Sequence, residues 1–261
     1  MGMNDERLRK HISGSLEKCY VVPVAVRCNA RCVFCATLEY RPNASTELMD
    51  EQGVEQRVAM LVEAGATRFE VTGGGEPTLH PRLSSILHTI RSAGGQYIKL
   101  YTNASRLPPR LDIDQLNVSR AHFDPDKNQA IMHLAGGSKS LEELIARARR
   151  GGYGFIRLSV PLIRGGIDSL TAAAAFLERL TGLVEGVVFR PLYPATPDRE
   201  SQLPRGSSAQ WQEGIERLAG DFRDELAVEY DGLGCHRALQ TILASDLQVY
   251  GNWSLTERIQ P

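Results

Sequence analysis

Three cysteines near the start of the chain have the type and spacing of metal ligands. Cys28, Cys32 and Cys35 form the pattern C-x3-C-x2-C. Cysteine thiolates are soft ligands that bind zinc or iron–sulfur clusters. An iron–sulfur cube takes one thiolate per iron, so three cysteines would leave one iron open to a ligand from outside the protein. That open iron is where chemistry could take place.

Spacing alone leaves two other uses of these cysteines open. A structural zinc site normally has four protein ligands, but no second C-x2-C-type pair occurs, and the nearest downstream histidine, His80, lies outside zinc-finger spacing. Inert packing in the core is the other alternative. Disulfides are not favoured, because the cysteine count is odd and no apolar signal segment begins the chain. The pattern therefore favours a cluster over a zinc site.

A glycine-rich motif follows the cysteines and indicates which of these uses the cysteines have. Residues 68 to 80 read RFEVTGGGEPTLH, a short apolar strand that ends in three glycines and a carboxylate. Here the chain resembles the radical S-adenosylmethionine (radical SAM) superfamily. In that family C-x3-C-x-aromatic-C holds a 4Fe-4S cluster, and a G-G-E-P strand end binds the amino group of the methionine moiety that chelates the fourth iron. The matching residues are Cys28, Cys32, Phe34 and Cys35, then Gly74, Gly75, Glu76 and Pro77.

The residue types in the second motif suit that role. Glycine lets a backbone approach a ligand closely, because it has no side chain. Glu76 offers a charge partner for an ammonium group. The alternative for the glycines is a plain strand-to-helix turn.

The chain is long enough for a barrel-sized domain. It has 261 residues, of which 42% are hydrophobic and 23% charged. Apolar runs predict strands at 20–27, 68–72, 97–101, 118–123, 155–160 and 186–190, with helices between them. Such alternation predicts parallel strands joined by right-handed crossovers. The resemblance implies an α/β fold with a partial (β/α)6 TIM-like barrel over residues 1–195.

In barrels of this kind, ligands bind at the carboxyl ends of the strands. The resemblance implies cofactor contacts for four strand-end residues: Thr102, Asn103, Ser159 and Arg190. His122 follows the fourth predicted strand and could contact the substrate or donate a proton. Its alternative is a structural role beside a helix that Asp124 caps.

Residues 196–261 are predicted to form a C-terminal extension with a helix over 211–226 and a hairpin turning near residues 245–246. Relatives often hold auxiliary clusters here on several cysteines, whereas this chain has Cys235 alone. We therefore expect a cluster-free remnant that closes the barrel mouth. Cys235 is either a buried apolar residue or a hydrogen-atom donor to a substrate radical.

Net charge and composition indicate which classes of partner and which cellular setting to expect. A net charge of −1 argues against nucleic acid. No run approaches the roughly 18 apolar residues of a membrane span. Free thiols and an oxygen-sensitive cluster predict a reduced, cytoplasmic setting. Arginines at 157, 164 and 190 could suit an anionic group.

The resemblance implies an enzyme with one [4Fe-4S] cluster and S-adenosyl-L-methionine. An electron donor such as flavodoxin or ferredoxin would drive reductive cleavage to a 5′-deoxyadenosyl radical. The radical would abstract hydrogen from a small biosynthetic substrate, a sugar, nucleoside or amino-acid derivative, giving epimerisation, dehydrogenation or rearrangement. The short segment before the first strand favours a small substrate over a peptide. Two alternatives remain: an activase or modifying enzyme that acts on a protein or peptide, and a non-catalytic zinc or iron–sulfur module.

Overall fold

The structure is a computed structural model that describes residues 17–35, 37, 48–192, 197–231, 241–250 and 258–259, without the side chains of 197–199. Its strands are β1 Lys18–Val21, β2 Arg68–Val71, β3 Tyr97–Thr102, β4 Gln115–Ser119, β5 Ile156–Leu162, β6 Gly186–Pro191, β7 Ala227–Tyr230, β8 Ile242–Leu243, β9 Val249–Tyr250 and β10 Arg258–Ile259. Its helices are α1 Glu51–Glu63, α2 Leu83–Ser92, α3 Pro125–Met132, α4 Leu141–Arg150, α5 Leu170–Glu178 and α6 Ser208–Asp221. Short 3-10 helices span Pro77–Leu79 and Pro197–Gln202.

One sheet contains all of these strands in the order β10-β9-β8-β1-β2-β3-β4-β5-β6-β7. Strands β1 to β7 are parallel neighbours in chain order. The predicted α/β class with a mostly parallel sheet is therefore confirmed. Beyond the six predicted strands, α6 and β7 continue the alternation on one edge, and β8 adds a parallel strand beside β1 on the other. The hairpin predicted near Ser245 joins β8 to the antiparallel β9.

Polar side chains set the helix ends. Asp50 caps α1, and Gly65, at φ 109°, follows its last turn. Ser140 caps α4 by accepting a hydrogen bond from Glu143 N, and the Glu143 side chain pairs with Lys139. Within the described residues, no helix is both long and apolar enough to cross a bilayer.

The predicted bounds of two strands were wrong. β4 ends at Ser119 because the Asn128 side chain accepts hydrogen bonds from the backbone N–H groups of Ala121 and His122, which removes them from the strand ladder. β1 ends at Val21, and residues 24–27 run alongside the glycine motif instead. Apolar residues were present in both places, but their backbone hydrogen bonds go elsewhere.

The two faces of the parallel sheet differ in polarity. Phe69, Ile98 and Leu100 belong to the apolar core that packs against the helices. The alternate residues are polar, including Glu70 and Lys99. On this polar face, Arg190 of β6 reaches Tyr101 of β3 across two intervening strands, with its guanidinium 5.5 Å from the ring centre. The sheet therefore curls around a polar interior.

Candidate active site

The cysteine loop follows β1 and is fixed to the end of α3. Arg31 N donates to Met132 O at 3.1 Å, and Val33 N donates to Ile131 O at 3.0 Å. Phe34 and Cys32 pack against a small apolar cluster, defined by Ala121, Ile131, Met132, Leu134 and Ile163. The aromatic residue of the motif therefore anchors the loop by packing.

The glycine motif lies directly against residues 24–27, which lead into the cysteine loop. Gly75 N donates to Val24 O at 3.1 Å, and Glu76 N donates to Arg27 O at 2.9 Å. A Cβ atom on Gly74 or Gly75 would overlap the carbonyl oxygen of Ala25 or Arg27. The glycines are thus required by the close approach of two backbone segments of the chain itself.

Glu76 is buried, and its carboxylate joins the ends of β2 and β3. Its Oε1 accepts from Thr102 Oγ1 at 2.6 Å and from Thr78 Oγ1 and N at 2.6 and 3.1 Å. Its Oε2 accepts from Asn103 N at 2.8 Å. Burial raises the pKa of Glu76, and these hydrogen bonds oppose the rise. All four donors are neutral, and among the described residues no cation forms an ion pair with this carboxylate.

The three thiols share an electrostatic environment with Glu76. Cys28 is exposed, whereas Cys32 and Cys35 are half-buried. Burial raises the pKa of Cys32 to about 12, and Cys35, Cys28 and Glu76 add to the rise. Within the described part of the chain, no three Cys, His, Asp or Glu side chains converge on one ion position. Three neighbouring thiols suit an iron–sulfur cluster with one open iron, because such a cluster takes one thiolate per iron.

A model of the radical SAM superfamily matches residues 22–165, which is more than half of the chain and includes both motifs. The chain belongs to the radical SAM superfamily. It is therefore an enzyme of the class that uses S-adenosylmethionine and an iron–sulfur cluster.

Curated relatives named GTP 3′,8-cyclase match part of this radical SAM chain. The protein from Aquifex aeolicus is 29% identical over 164 residues, which are 59% of this chain and 51% of the relative. That from Tolumonas auensis is 29% identical over 150 residues, or 54% of this chain and 44% of the relative. The chain thus spans about half the length of the curated relatives it matches.

Solved radical SAM structures share the fold. Streptococcus suis SuiB bound to S-adenosylmethionine has a TM-score of 0.73 at 12% identity, over 95% of this chain and 64% of SuiB. anSMEcpe with bound AdoMet has a TM-score of 0.67 at 13% identity, over 92% and 76% of the two chains. The expected partial TIM-like barrel is confirmed by this likeness.

Three residues of the radical SAM site form a hydrogen-bond network that was not predicted from the sequence. Asn103 Nδ2 donates to Asn29 Oδ1 at 2.9 Å, Asn29 Nδ2 donates to Ser105 Oγ at 2.7 Å, and Ser105 Oγ donates to Asn103 Oδ1 at 2.6 Å. Asn29 lies between two of the cysteines, and Asn103 also donates its backbone N–H to Glu76. The network therefore fixes the cysteine loop to the end of β3. Asn29 is an unspecified position within the cysteine motif, so no sequence pattern identifies it.

The other predicted site residues occupy different surroundings. Ser159 is buried on β5, beside Ser119 of β4. Arg190 pairs with Asp231 at 2.8 Å. His122 Nδ1 accepts from Asp124 N at 2.9 Å, and burial, with nearby Lys127, lowers the pKa of His122. Cys235 lies outside the described residues.

The polar interior below the strand ends contains an extended set of charges. Glu70 lies 3.1 Å from Lys99 and 3.7 Å from Lys18, and it accepts from Tyr101 OH at 3.0 Å. Against the desolvation that burial imposes, Lys99 and Lys18 hold the pKa of Glu70 below 4.5. The barrel of this radical SAM chain therefore encloses polar groups where a closed barrel has an apolar core.

Proposed function

We propose that this radical SAM enzyme holds one [4Fe-4S] cluster on Cys28, Cys32 and Cys35 and acts on a small biosynthetic substrate. The observation that carries the proposal is the junction of the cysteine loop with the strand end that bears Glu76. Two backbone hydrogen bonds join these segments. A ligand bound to the cluster would therefore lie beside the buried carboxylate.

Glu76 is suited to the cofactor's ammonium group. A buried carboxylate strongly favours a cation as a neighbour, and its described donors are all neutral. Oε2 has one described donor, so it has lone-pair capacity for a second. In this proposal Thr102 and Asn103 orient the carboxylate, and charge pairing with the ammonium group holds the methionine moiety.

When both are bound and reduced by one electron, the cluster and S-adenosylmethionine supply a 5′-deoxyadenosyl radical that removes hydrogen from the substrate. The chain's own residues position these groups. The Asn29, Asn103 and Ser105 network holds the cysteine loop to β3. The apolar cluster beneath Phe34 excludes water from the inner side of the loop.

A small substrate is supported by the names of the curated relatives, which identify GTP as the compound on which those proteins act. Among the solved structures with the same fold, SuiB is also known bound to a precursor peptide, so a peptide is the alternative substrate class. The sheet surrounds a polar interior, which favours a compact polar molecule. We further propose flavodoxin or ferredoxin as the electron donor, and residues 196–261 as a cap over the barrel.

Product analysis tests the proposal. Anaerobically reconstituted, reduced protein should convert S-adenosylmethionine to equal amounts of 5′-deoxyadenosine and methionine, measured by mass spectrometry. Replacing Cys28, Cys32 and Cys35 together with alanine should lower the yield to background. Cys19→Ala is the matched control, because Cys19 is buried in the core away from the loop and cleavage should persist.

The same experiment separates the alternatives. A colourless protein that retains zinc and cleaves no cofactor would support a metal-binding module. An intact, reduced cluster without cleavage would count against the enzyme proposal. With candidate substrates deuterated site by site, deuterium in 5′-deoxyadenosine would identify the substrate and the carbon that is attacked.

A further inference from the structure

A chain of hydrogen bonds on the inner face of the sheet ends in a donor without an acceptor. Tyr97 OH donates to Gln115 Oε1 at 2.5 Å, and Gln115 Nε2 donates to Asn117 Oδ1 at 2.6 Å. Asn117 is 1% exposed, and its Nδ2 has no hydrogen-bond partner. Its neighbours in sequence, Leu116 and Val118, point to the apolar core, so Asn117 faces the barrel interior. A buried donor without a partner is unfavourable, so a ligand acceptor at this position would stabilise it.

Arg157 presents further unused donors beside Asn117. The two residues are partners in the register of β4 and β5. Arg157 Nε is buried without a hydrogen-bond partner. Its Nη2 lies 2.5 Å from Glu229 Oε2, an ion pair that lacks hydrogen-bond geometry, and the Glu229 side chain is 61% exposed. Solvent at Glu229 screens this ion pair, so Glu229 offsets the guanidinium charge only in part.

The lysines on the same face add to this positive charge. Lys18 and Lys99 both lie within ion-pair distance of the buried Glu70 carboxylate. Lys99 also lies close enough to Arg157 for the arginine to oppose protonation of the lysine. Among the described residues, three cations, Lys18, Lys99 and Arg157, therefore contact two carboxylates, those of Glu70 and Glu229. The buried atoms of Asn117 and Arg157 that lack a hydrogen-bond partner are all donors.

We propose that Asn117, Arg157 and Lys99 bind an anionic group of the substrate, a carboxylate or a phosphate, inside the barrel. This deepens the proposed function and rests on it. An oxyanion supplies acceptors for several N–H donors at once, and it compensates the excess positive charge. Asn117 lies two residues before the end of β4, which is about 7 Å along the strand. A substrate held there would extend its reacting carbon towards the strand ends, where Glu76 and the cysteine loop meet.

Anion binding by the reconstituted holoenzyme tests this assignment. The probes are inorganic phosphate, pyrophosphate, acetate and succinate, titrated by calorimetry at constant ionic strength. We expect one binding event for either the phosphates or the carboxylates, and the stronger class indicates which group the substrate carries. In Asn117→Asp the acceptor for Gln115 is kept and the unused donor becomes an anionic oxygen, so the Kd should rise at least tenfold. Arg157→Gln should raise it by about tenfold.

Arg150→Gln is the matched control, because Arg150 is an exposed arginine at the end of α4, and binding should be unchanged. Circular dichroism of each variant verifies that the fold persists. Equal affinities in all four proteins, or no saturable binding by the wild type, would overturn the assignment. Cofactor cleavage by wild-type protein from the same preparation tests the proposed function separately: cleavage without anion binding rejects only the anion site, and anion binding without cleavage rejects only the radical chemistry.

Discussion

Two neighbouring regions of the site each contain a buried carboxylate, and the pKa values of the two carboxylates shift in opposite directions. In the barrel interior, Glu70 is contacted by Lys99 and Lys18, which hold its pKa below 4.5 against the effect of burial. At the strand ends, Glu76 has neutral donors only, and burial raises its pKa. The interior therefore contains more positive charge than Glu70 compensates, and the strand end presents a negative charge without a described counterion. The two regions are suited to ligand groups of opposite charge.

The largest effect is expected from removing the charge at the strand end. Glu76→Gln keeps most of the volume and one carbonyl acceptor but removes the negative charge. Because a hydrogen bond to a charged group contributes about 1.5–3 kcal/mol, the Kd for S-adenosylmethionine should rise by roughly 10- to 100-fold. Equilibrium binding to the reconstituted protein measures it, and iron content shows that the cluster persists.

Glu70→Gln is the control variant that tests whether this prediction is specific to the strand end. It removes a carboxylate of the same type from the interior, where cations already surround it. Binding of the methionine cofactor should change far less than in Glu76→Gln. Equal losses in the two variants would mean that the regions are not distinct.

A smaller effect is expected at the connection between the cysteine loop and β3. Asn29→Ala removes two side-chain hydrogen bonds, to Asn103 and Ser105. Each such bond contributes about 1 kcal/mol, so the loss of both should slow cleavage of S-adenosylmethionine roughly 30-fold. A role in positioning also predicts a changed response of the reduced cluster's electron paramagnetic resonance spectrum to the cofactor. Ser105→Ala, which keeps the Asn29 to Asn103 bond, should have a weaker effect, and an unaltered spectrum in Asn29→Ala would contradict the positioning role.

The smallest expected effect is the pH dependence of stability. Glu70 has a folded pKa below its ordinary value of 4.5, so its stabilising contribution is present above pH 4.5 and is lost as the pH falls through the folded value. Glu76 has the opposite sign: its raised pKa means that the folded state gains stability as the pH falls through that value. Each pKa unit corresponds to about 1.4 kcal/mol.

Urea denaturation from about pH 3 to about pH 7, the range in which carboxyl groups titrate, measures this contrast. The measurement uses the protein with all three loop cysteines replaced by alanine, so that acid loss of a cluster does not interfere. Glu70→Gln should lessen the loss of stability in acid, and Glu76→Gln should remove the gain. If both variants changed the pH profile in the same direction, the electrostatic difference between the two regions would be refuted.

Much of the fold was predictable because strand periodicity is a local property. The strands predicted at 68–72, 97–101, 155–160 and 186–190 agree with β2, β3, β5 and β6 to within two residues at each end. β7 was missed, because its four residues alternate between exposed and half-buried positions and have little apolar signal. β4 was misplaced because a side chain from α3, Asn128, takes the backbone donors that follow it. Competition from a side chain in the following helix is not visible in the apolar pattern of the strand itself.

For the candidate site, the motif residues could be identified from the sequence, but the residues that contact them could not. The glycines were interpreted as room for a ligand, and that remains a prediction; the structure adds a second requirement for them, the close approach of two backbone segments of the chain. A signal for the polar interior was present in the alternation of Gln115, Asn117 and Ser119 with apolar residues on β4. It could not be assigned to the inner face before the curl of the sheet was known.

The contact between residues 24–27 and the glycine strand also has a consequence for the order of folding. The cysteine loop, α1 and β2 lie between the two segments in sequence, so their hydrogen bonds can form only after the chain has been made through the glycine motif. When a growing chain has emerged only as far as α1, the glycine strand is still absent. The segment that leads into the three cysteines then has no strand to pack against. In the proposed function, the three cysteines therefore reach their final geometry only together with the glycine strand, and a peptide containing the cysteines alone would lack that support.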